Sequence, residues 1–222
     1  MPLAILVVDD HSIVRLGLTT LLARSDKFSV IRDAPDLATA RRILHEIQFD
    51  LLVCDLTLPD GSGIVFCEEL RVSHPGLKTL ILSMHDENLF AERALKAGAV
   101  GYLMKDEADS SLIDAIVKVL AGEIALSAGM QLRLLQRLRG SKNPQQGLAS
   151  LSDRELGILT LLGHGKSTKE IAFELTLSQR TVEAHRASIK SKLNLRTGAD
   201  VAAFAISFVR PTTGARQHEK KA

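Results

Sequence analysis

The sequence predicts an α/β N-terminal half, built on a doubly wound, five-stranded parallel sheet, joined to a small all-α C-terminal half. Three observations carry that prediction. In residues 1–122 five short apolar runs alternate with five amphipathic stretches, the pattern of strands joined by crossover helices. From 151 to 209 the runs give way to helix starts led by serine. The charge also changes sign between the halves. Residues 1–122 carry 12 Lys and Arg against 18 Asp and Glu, a net of −6, whereas residues 123–222 carry 16 against 8, a net of +8. An acidic half joined to a basic half suggests two domains, the second a candidate for nucleic-acid contact.

The expected strands are AILVV (4–8), FSVIR (28–32), LLVC (51–54), TLILS (79–83) and VGYLM (100–104). Helical patterns lie between and after them, near 12–24, 36–47, 63–73, 87–97 and 109–121. In the first helix Ile13, Leu16, Leu18, Leu21 and Leu22 read as the apolar stripe that seats it. MQLRLLQRLR (130–139) reads as a further short helix, and GSKNPQQG (140–147) as a flexible linker. The polar tail PTTGARQHEKKA is expected to be disordered. The resulting division is a first domain at 1–122, a linker with a short helix at 123–148, a second domain at 149–210 and a tail at 211–222.

Composition narrows the class. An apolar content of 45% with 24% charged residues describes a globular chain. No apolar run approaches the ~18 residues of a membrane span. The N-terminus MPLAILVVDD turns acidic too early for a secretion signal. Cys54 and Cys67 lack metal-ligand spacing, and Cys54 sits inside an apolar run, so reduced thiols and a cytoplasmic setting are expected.

In parallel sheets ligands bind beyond the carboxyl ends of the strands. The residues just past those ends are Asp9 and Asp10, Asp55, Ser83 and Lys105. Three carboxylates, a hydroxyl and an ammonium should therefore meet on one edge. The carboxylates would repel one another without a counter-charge, and Mg²⁺ suits such an oxygen-rich site. Asp55 could then act as a nucleophile that accepts a phosphoryl group, with Lys105 and Mg²⁺ stabilising the transferring charge and Ser83 bonding one oxygen.

This constellation resembles the receiver domain of bacterial two-component response regulators. The matching residues are Asp9 and Asp10 in VVDD, Asp55 in LLVCDLTLPDGSG, Ser83 in LILSMHD, and Tyr102 and Lys105 in GYLMKD. The resemblance implies a flavodoxin-like fold and an Mg²⁺ ligated by Asp10, Asp55 and the carbonyl of Thr57, with Asp9 acting mostly through water. It also implies a switch in which Ser83 moves toward the phosphoryl group and the Tyr102 ring turns inward. The family's lysine is commonly followed by proline; here Asp106 follows. Haloacid-dehalogenase-like phosphatases also use a strand-end aspartate, but they place a second carboxylate two residues on, where this chain has Thr57. Turnover of small phosphate esters is therefore not expected.

In the basic half, Ser152 with Glu155 and Ser167 with Glu170 both fit a capping box, and Ser178 is a third serine cap. A short helix near 168–175, a tight turn and a longer helix near 179–193 make a helix-turn-helix, whose second helix usually enters the major groove. At about 100° per residue Ile189 and Leu193 each fall within about 20° of Val182, and the three form the core stripe, flanked by His185 and Arg186. Arg180, Glu183, Ala184, Ala187, Ser188 and Ser191 point outward, with Lys190 on the border.

LSDRELGIL, GKSTKEIAFEL and LSQRTVEAHRASIKSKLNL resemble the LuxR-type helix-turn-helix domain, and the whole chain resembles the NarL/FixJ class of response regulators. By analogy Lys166, Thr168, Ser178, Thr181 and Lys190 would hold DNA phosphates, while Arg180, Glu183, Ala184 and Ala187 would face base edges. The expected protein is a phosphorylation-controlled DNA-binding transcription regulator. A sensor histidine kinase would supply its phosphoryl group, double-stranded DNA would be its target, and the phosphorylated form would be a homodimer. It would not be an enzyme beyond its own phosphotransfer and slow autodephosphorylation. A constitutive DNA-binding protein with a degenerate receiver is the alternative.

Overall fold

The computed structural model describes residues 3–138 and 148–209. The chain divides into two compact units, residues 1–144 and 145–222. The expected linker at 140–147 and tail at 211–222 lie outside the described residues.

The first unit holds β1 (Leu3–Val8), β2 (Phe28–Ala34), β3 (Leu51–Asp55), β4 (Lys78–Ser83) and β5 (Gly101–Met104). They form one parallel sheet in the spatial order β2-β1-β3-β4-β5. The order reverses between β1 and β3, so the crevice of the sheet opens at the carboxyl ends of those two strands. Register fixes what lies there. Val8 pairs with Cys54, which sets Asp9 level with Asp55, and Asp55 pairs with Leu82, just before Ser83. Every residue of β3 is buried, as its unbroken apolar run requires.

Five helices cover the sheet: α1 (Ser12–Ala23), α2 (Leu37–Glu46), α3 (Gly63–Ser73), α4 (Glu87–Ala97) and α5 (Ala108–Leu120). The stripe expected on α1 needs correction. Leu18 and Leu22 are buried with Val14 and Leu21 packed beside them, but Ile13 and Leu16 are 84% and 68% exposed. At 100° per residue those two lie on the far side of the helix from Leu18 and Leu22.

Two features of this unit escaped the sequence reading. Thr57–Leu58 and Gly61–Ser62 form a two-stranded antiparallel ribbon directly after β3. From its tip Asp60 accepts the N–H groups of Leu37 and Ala38, tying the loop to the start of α2. Beyond α5 the chain returns to the sheet. Tyr102 N–H donates to Ala125, and Ala125 N–H donates to Val100, so this segment covers the open edge of β5. A further helix, α6 (Ala128–Leu138), then packs on α4 with Met130 buried.

The second unit holds α7 (Asp153–Gly163), α8 (Thr168–Glu174), α9 (Gln179–Lys192) and α10 (Gly198–Val209). Ser152 and Ser167 each close a full capping box with Glu155 and Glu170, and Ser178 accepts from Thr181 N–H. α7 packs against α9 and α10, and a side chain at Gly163 would collide with the Ala205 carbonyl on α10. Val182 and Ile189 are buried, and Leu193 is half-buried. Thr176, between α8 and α9, has φ 52°, a left-handed conformation that a β-branched residue adopts only under strain. No helix among the described residues is long and apolar enough to cross a membrane.

Ser188 was expected to point outward, and instead its hydroxyl donates to Glu155 Oε1 at 2.6 Å. The same buried carboxylate accepts from Lys192 Nζ at 2.7 Å and from Ser152 N–H at 2.7 Å. Burial alone would raise its pKa; the bonds from Lys192, Ser188 and Ser152 overcome that and pull it down to about 2. A carboxyl depressed in the folded state contributes stability above its unfolded pKa near 4.5 and loses it as pH falls toward 2. Glu155→Gln should lower protection of the α7 and α9 amides against hydrogen exchange by about 2 kcal/mol at pH 7, the full linkage value discounted for partial solvent access to Lys192. The gap to the native chain should close as pH falls from 4.5 to 2.

Candidate functional site

The acid edge of the first unit is assembled from three strands. Lys105, just past β5, places its ammonium 2.6 Å from Asp9 Oδ2 and 2.7 Å from Asp55 Oδ2. All three side chains are at least nine-tenths buried. Burial is the largest influence on Asp55, raising its pKa to about 6; Lys105 pulls against that shift and Asp9 adds to it. For Lys105 burial works the other way, yet Asp55 and Asp9 outweigh it and hold the ammonium pKa above its ordinary value. The arrangement is one ammonium between two aspartate side chains.

Local backbone chemistry leaves Asp55 where it is. A side chain at position 63 would collide with the Asp55 carbonyl, so only glycine allows α3 to begin there. Gly63 N–H donates to Leu56 O at 2.8 Å, and Thr57 N–H reaches Asp55 Oδ1 at 3.3 Å. The thiol of Cys54 donates to the Asp55 carbonyl, and burial pushes its pKa well up, so it stays a thiol.

Asp9, Asp10, His11 and Asp55 each offer a ligand atom, all within 4.8 Å of one another. Asp10 Oδ1 is buried and accepts no hydrogen bond, and Asp9 Oδ2 has the Lys105 ammonium 2.6 Å away. A buried carboxylate oxygen without a donor, among three carboxylates sharing one ammonium, is what a hard divalent cation would satisfy, so this donor set fits Mg²⁺.

Two supporting residues were not foreseen. Arg15 donates from Nη1 to the carbonyl oxygens of Asp9 (2.7 Å) and Asp10 (3.2 Å) and from Nε to Asp33 (3.0 Å), clamping the backbone of the acid pair. The available signal was an arginine in the first turn of α1, where the helix dipole disfavours a cation unless something nearby binds it. The second residue is His85. Its N–H donates to Ser83 Oγ (3.0 Å), its carbonyl accepts from the Tyr102 hydroxyl (2.8 Å), and its Nε2 lies 3.2 Å from Thr57 Oγ1. One residue thus joins the expected switch pair. The Tyr102 ring lies inside the unit, 2% exposed.

In the second unit Arg180, Glu183, Ala184 and Ala187 share an exposed face of α9, and Ser178 is exposed at its start. Thr181 and Lys190 are half-buried beside them. Lys166 pairs with Glu174. Thr168 Oγ1 donates to Glu183 Oε1 at 2.7 Å and accepts from Arg186 Nη1 at 2.7 Å, and that same nitrogen reaches Glu183 at 3.0 Å. These three side chains form one polar knot between α8 and α9. His185 is half-buried, and burial lowers its pKa, which favours the neutral ring.

A family model described as the response regulator receiver domain matches residues 5–117, and one described as bacterial regulatory proteins, luxR family, matches residues 149–205. The chain belongs to the response regulators of the NarL/FixJ class. The oxygen regulatory protein NreC of Staphylococcus carnosus is 34% identical over 208 residues, covering 91% of this chain and 96% of its own. The DNA-binding transcriptional activator DevR/DosR of Mycobacterium tuberculosis is 34% identical over 206 residues, covering 93% and 95%. Among solved structures, RcsB of Salmonella enterica serovar Typhimurium, bound to a promoter with phosphomimetic BeF3-, shares the fold at a TM-score of 0.61 and 22% identity, covering 93% of this chain and 99% of its own. This response regulator is therefore a DNA-binding protein of transcription control.

Arg15 touches no expected ligand atom; it bonds the carbonyls of Asp9 and Asp10 and the Asp33 side chain. Arg15→Ala should therefore weaken Mg²⁺ affinity roughly tenfold, within the range for a lost supporting contact. Isothermal titration would measure it, and an unchanged affinity would remove Arg15 from the site.

Proposed function

We propose that Asp55 is the phosphoacceptor of this response regulator, with a sensor histidine kinase as donor. The observation that carries this reading is the placement of the Lys105 ammonium between Asp9 and Asp55 at the switch point of the sheet. Asp55 attacks the phosphorus of a phosphohistidine; the P–N bond breaks as the O–P bond forms, and the imidazole leaves with the electron pair. Lys105 holds an oxygen of the transferring group in this buried site, where its charge acts with little screening. Mg²⁺, held by Asp10, Asp55 and the Thr57 carbonyl with Asp9 through water, would neutralise part of the charge on that group. With Thr57 where a phosphatase would carry its general acid, the aspartyl phosphate is lost only slowly and no external substrate is turned over.

The phosphoryl group draws the Ser83 hydroxyl toward it and away from His85 N–H. His85 is linked to Tyr102, and two residues later Glu87 begins α4. Glu87 is buried; its carboxylate accepts the N–H of Ser127 at 2.9 Å and the Ser127 hydroxyl. Ser127 in turn accepts from Met130 N–H at the start of α6, and Arg133 on α6 bonds Asn88 at 2.8 Å. The acid pocket is thus one short chain of bonds from the helix that leads toward the DNA-binding unit. A change in that chain favours a homodimer, in which two α9 helices reach successive half-sites of double-stranded DNA. Residues 1–122 act as the receiver, 123–148 as the coupling segment and 149–210 as the DNA-binding domain. Lys166, Thr168, Ser178, Thr181 and Lys190 hold phosphates, and Arg180, Glu183, Ala184 and Ala187 read base edges. These contacts require the Lys166–Glu174 and Thr168–Glu183 pairs to open on binding.

Incubation with acetyl phosphate and Mg²⁺ should label the native chain, promote dimerisation and raise DNA affinity. Asp55→Asn should lose all three, and a full gain in affinity in that variant would sink the mechanism. Glu87→Gln keeps the shape of the clasp but removes its charge. Labelling should persist while the phosphodonor-dependent gain in DNA affinity falls roughly tenfold, the equivalent of about 1.4 kcal/mol for a weakened charged hydrogen bond. Fluorescence anisotropy with and without phosphodonor reads both variants.

A further inference from the structure

We infer that the outward face of α6, centred on Leu132 and Leu135, is a seam on which two phosphorylated copies of this chain pair. The inference rests on the reading of Asp55 as the phosphoacceptor of a switchable homodimer and names a surface that reading leaves open.

α6 has two apolar sides, whereas a helix on the surface of a unit ordinarily needs one. With Met130 taken as zero and about 100° per residue, Leu134 lies near 40° and Arg133 near 300°. That side meets α4: Met130 is buried, Leu134 is half-buried, and Arg133 bonds Asn88 at 2.8 Å. Leu135, near 140°, and Leu132, near 200°, lie on the far side, and each is 58% exposed. The other residues of that side are Ala128, Gln131 and Gln136, all exposed, so the face carries no charge.

The missing charge narrows what can cover the face. Nucleic acid would require cations there. The chain's own second unit has 12 Lys and Arg against 7 Asp and Glu over residues 145–222, a net of +5, and would be drawn to carboxylates. A second copy brings the same uncharged leucine pair. A two-fold axis then sets leucines against leucines, with no like charges opposed. Two leucines per copy bury far less than the ~800 Å² per partner of a stable interface. The seam therefore does not hold a resting dimer by itself. It adds to the pairing of two copies on adjacent half-sites, where each raises the local concentration of the other.

The acid pocket reaches this face through the inner side of α6. Glu87 holds Ser127 just before the helix, and Asn88 holds Arg133 one turn into it. These two contacts with α4 fix how the leucine pair is presented. A change relayed through Ser83, His85 and Glu87 re-aims the outer leucines without touching a residue of the seam.

The test uses two full-length double variants, one with Leu132→Glu and Leu135→Glu, the other with Leu132→Lys and Leu135→Lys. Each is incubated with acetyl phosphate and Mg²⁺ and followed by sedimentation velocity at low salt. Labelling of Asp55 should match the native chain in both, which reports an intact first unit. Dimerisation of each variant alone should weaken roughly tenfold or more, because like charges then face each other across the seam. An equal mixture of the two should recover dimers, because glutamates then face lysines whichever way the helices run. A double variant that dimerises as the native chain does overturns the seam and leaves the phosphoacceptor reading standing. A mixture that stays monomeric shows that something other than a second copy covers the face, and so does a variant that binds DNA at full affinity without phosphodonor. A native chain that is labelled but never dimerises overturns the homodimer and the seam together.

Discussion

The acid edge depends on Lys105. Two carboxylates, Asp9 and Asp55, stand at adjacent strand ends because the parallel register of β1 and β3 leaves them no other place. Both are buried, and like charges in a poorly solvated site cannot both remain ionised unaided. The ammonium between them resolves the conflict. Without it they would stand uncompensated, a situation that costs about 3–5 kcal/mol for a broken buried pair. The compensation is deliberately incomplete in charge: one cation for two carboxylates, with Asp10 adding a third. Burial still holds Asp55 near the top of the carboxylate range, and Asp10 Oδ1 has no hydrogen-bond donor. A pocket balanced in this way has capacity for a divalent ion, and an ion together with Lys105 has capacity for a phosphoryl group.

The same constraint explains why the surroundings are so closely tied together. Glycine at 63, the Arg15 clamp on the carbonyls of Asp9 and Asp10, and Asp60 on the start of α2 each fix backbone, not side chain. They hold the charges in place while the groups expected to move are linked to one another by hydrogen bonds. Ser83, His85 and Tyr102 form one such connection, and Glu87 with Ser127 forms the next. A rigid charge cluster beside a chain of hydrogen bonds is suited to passing a local change in charge to a helix some distance along the chain.

Much of this was legible in the sequence, and the reasons are physical. Apolar runs of four or five residues bounded by polar ends report buried parallel strands, and the residue after each run necessarily lies on the ligand edge. Asp9, Asp10, Asp55, Ser83 and Lys105 could therefore be placed from periodicity alone. What stayed hidden depends on contacts between elements far apart in sequence. Nothing local marks His85 as the residue that links Ser83 and Tyr102, nor Glu87 as the partner of Ser127, 40 residues away. The stripe on α1 failed for a different reason. Counting apolar residues without their angles placed Ile13 and Leu16 with the core, although they lie on the opposite side of the helix.

The DNA-binding unit poses the converse problem, because its polar residues are engaged with one another. Glu183 lies on the exposed face of α9 and is held by Thr168 and Arg186. A carboxylate on a surface meant for phosphates repels them, so its presence there needs an offset. Arg186 supplies one: a cation bonded to Glu183 cancels that repulsion while the carboxylate keeps lone pairs for a base-edge donor such as cytosine N4. The knot also orients α9 relative to α8, since Thr168 belongs to the first helix of the motif and the other two residues to the second. Glu183 thus belongs both to the knot that ties α8 to α9 and to the face proposed to read base edges, and on that proposal binding trades its bond to Thr168 for one to DNA.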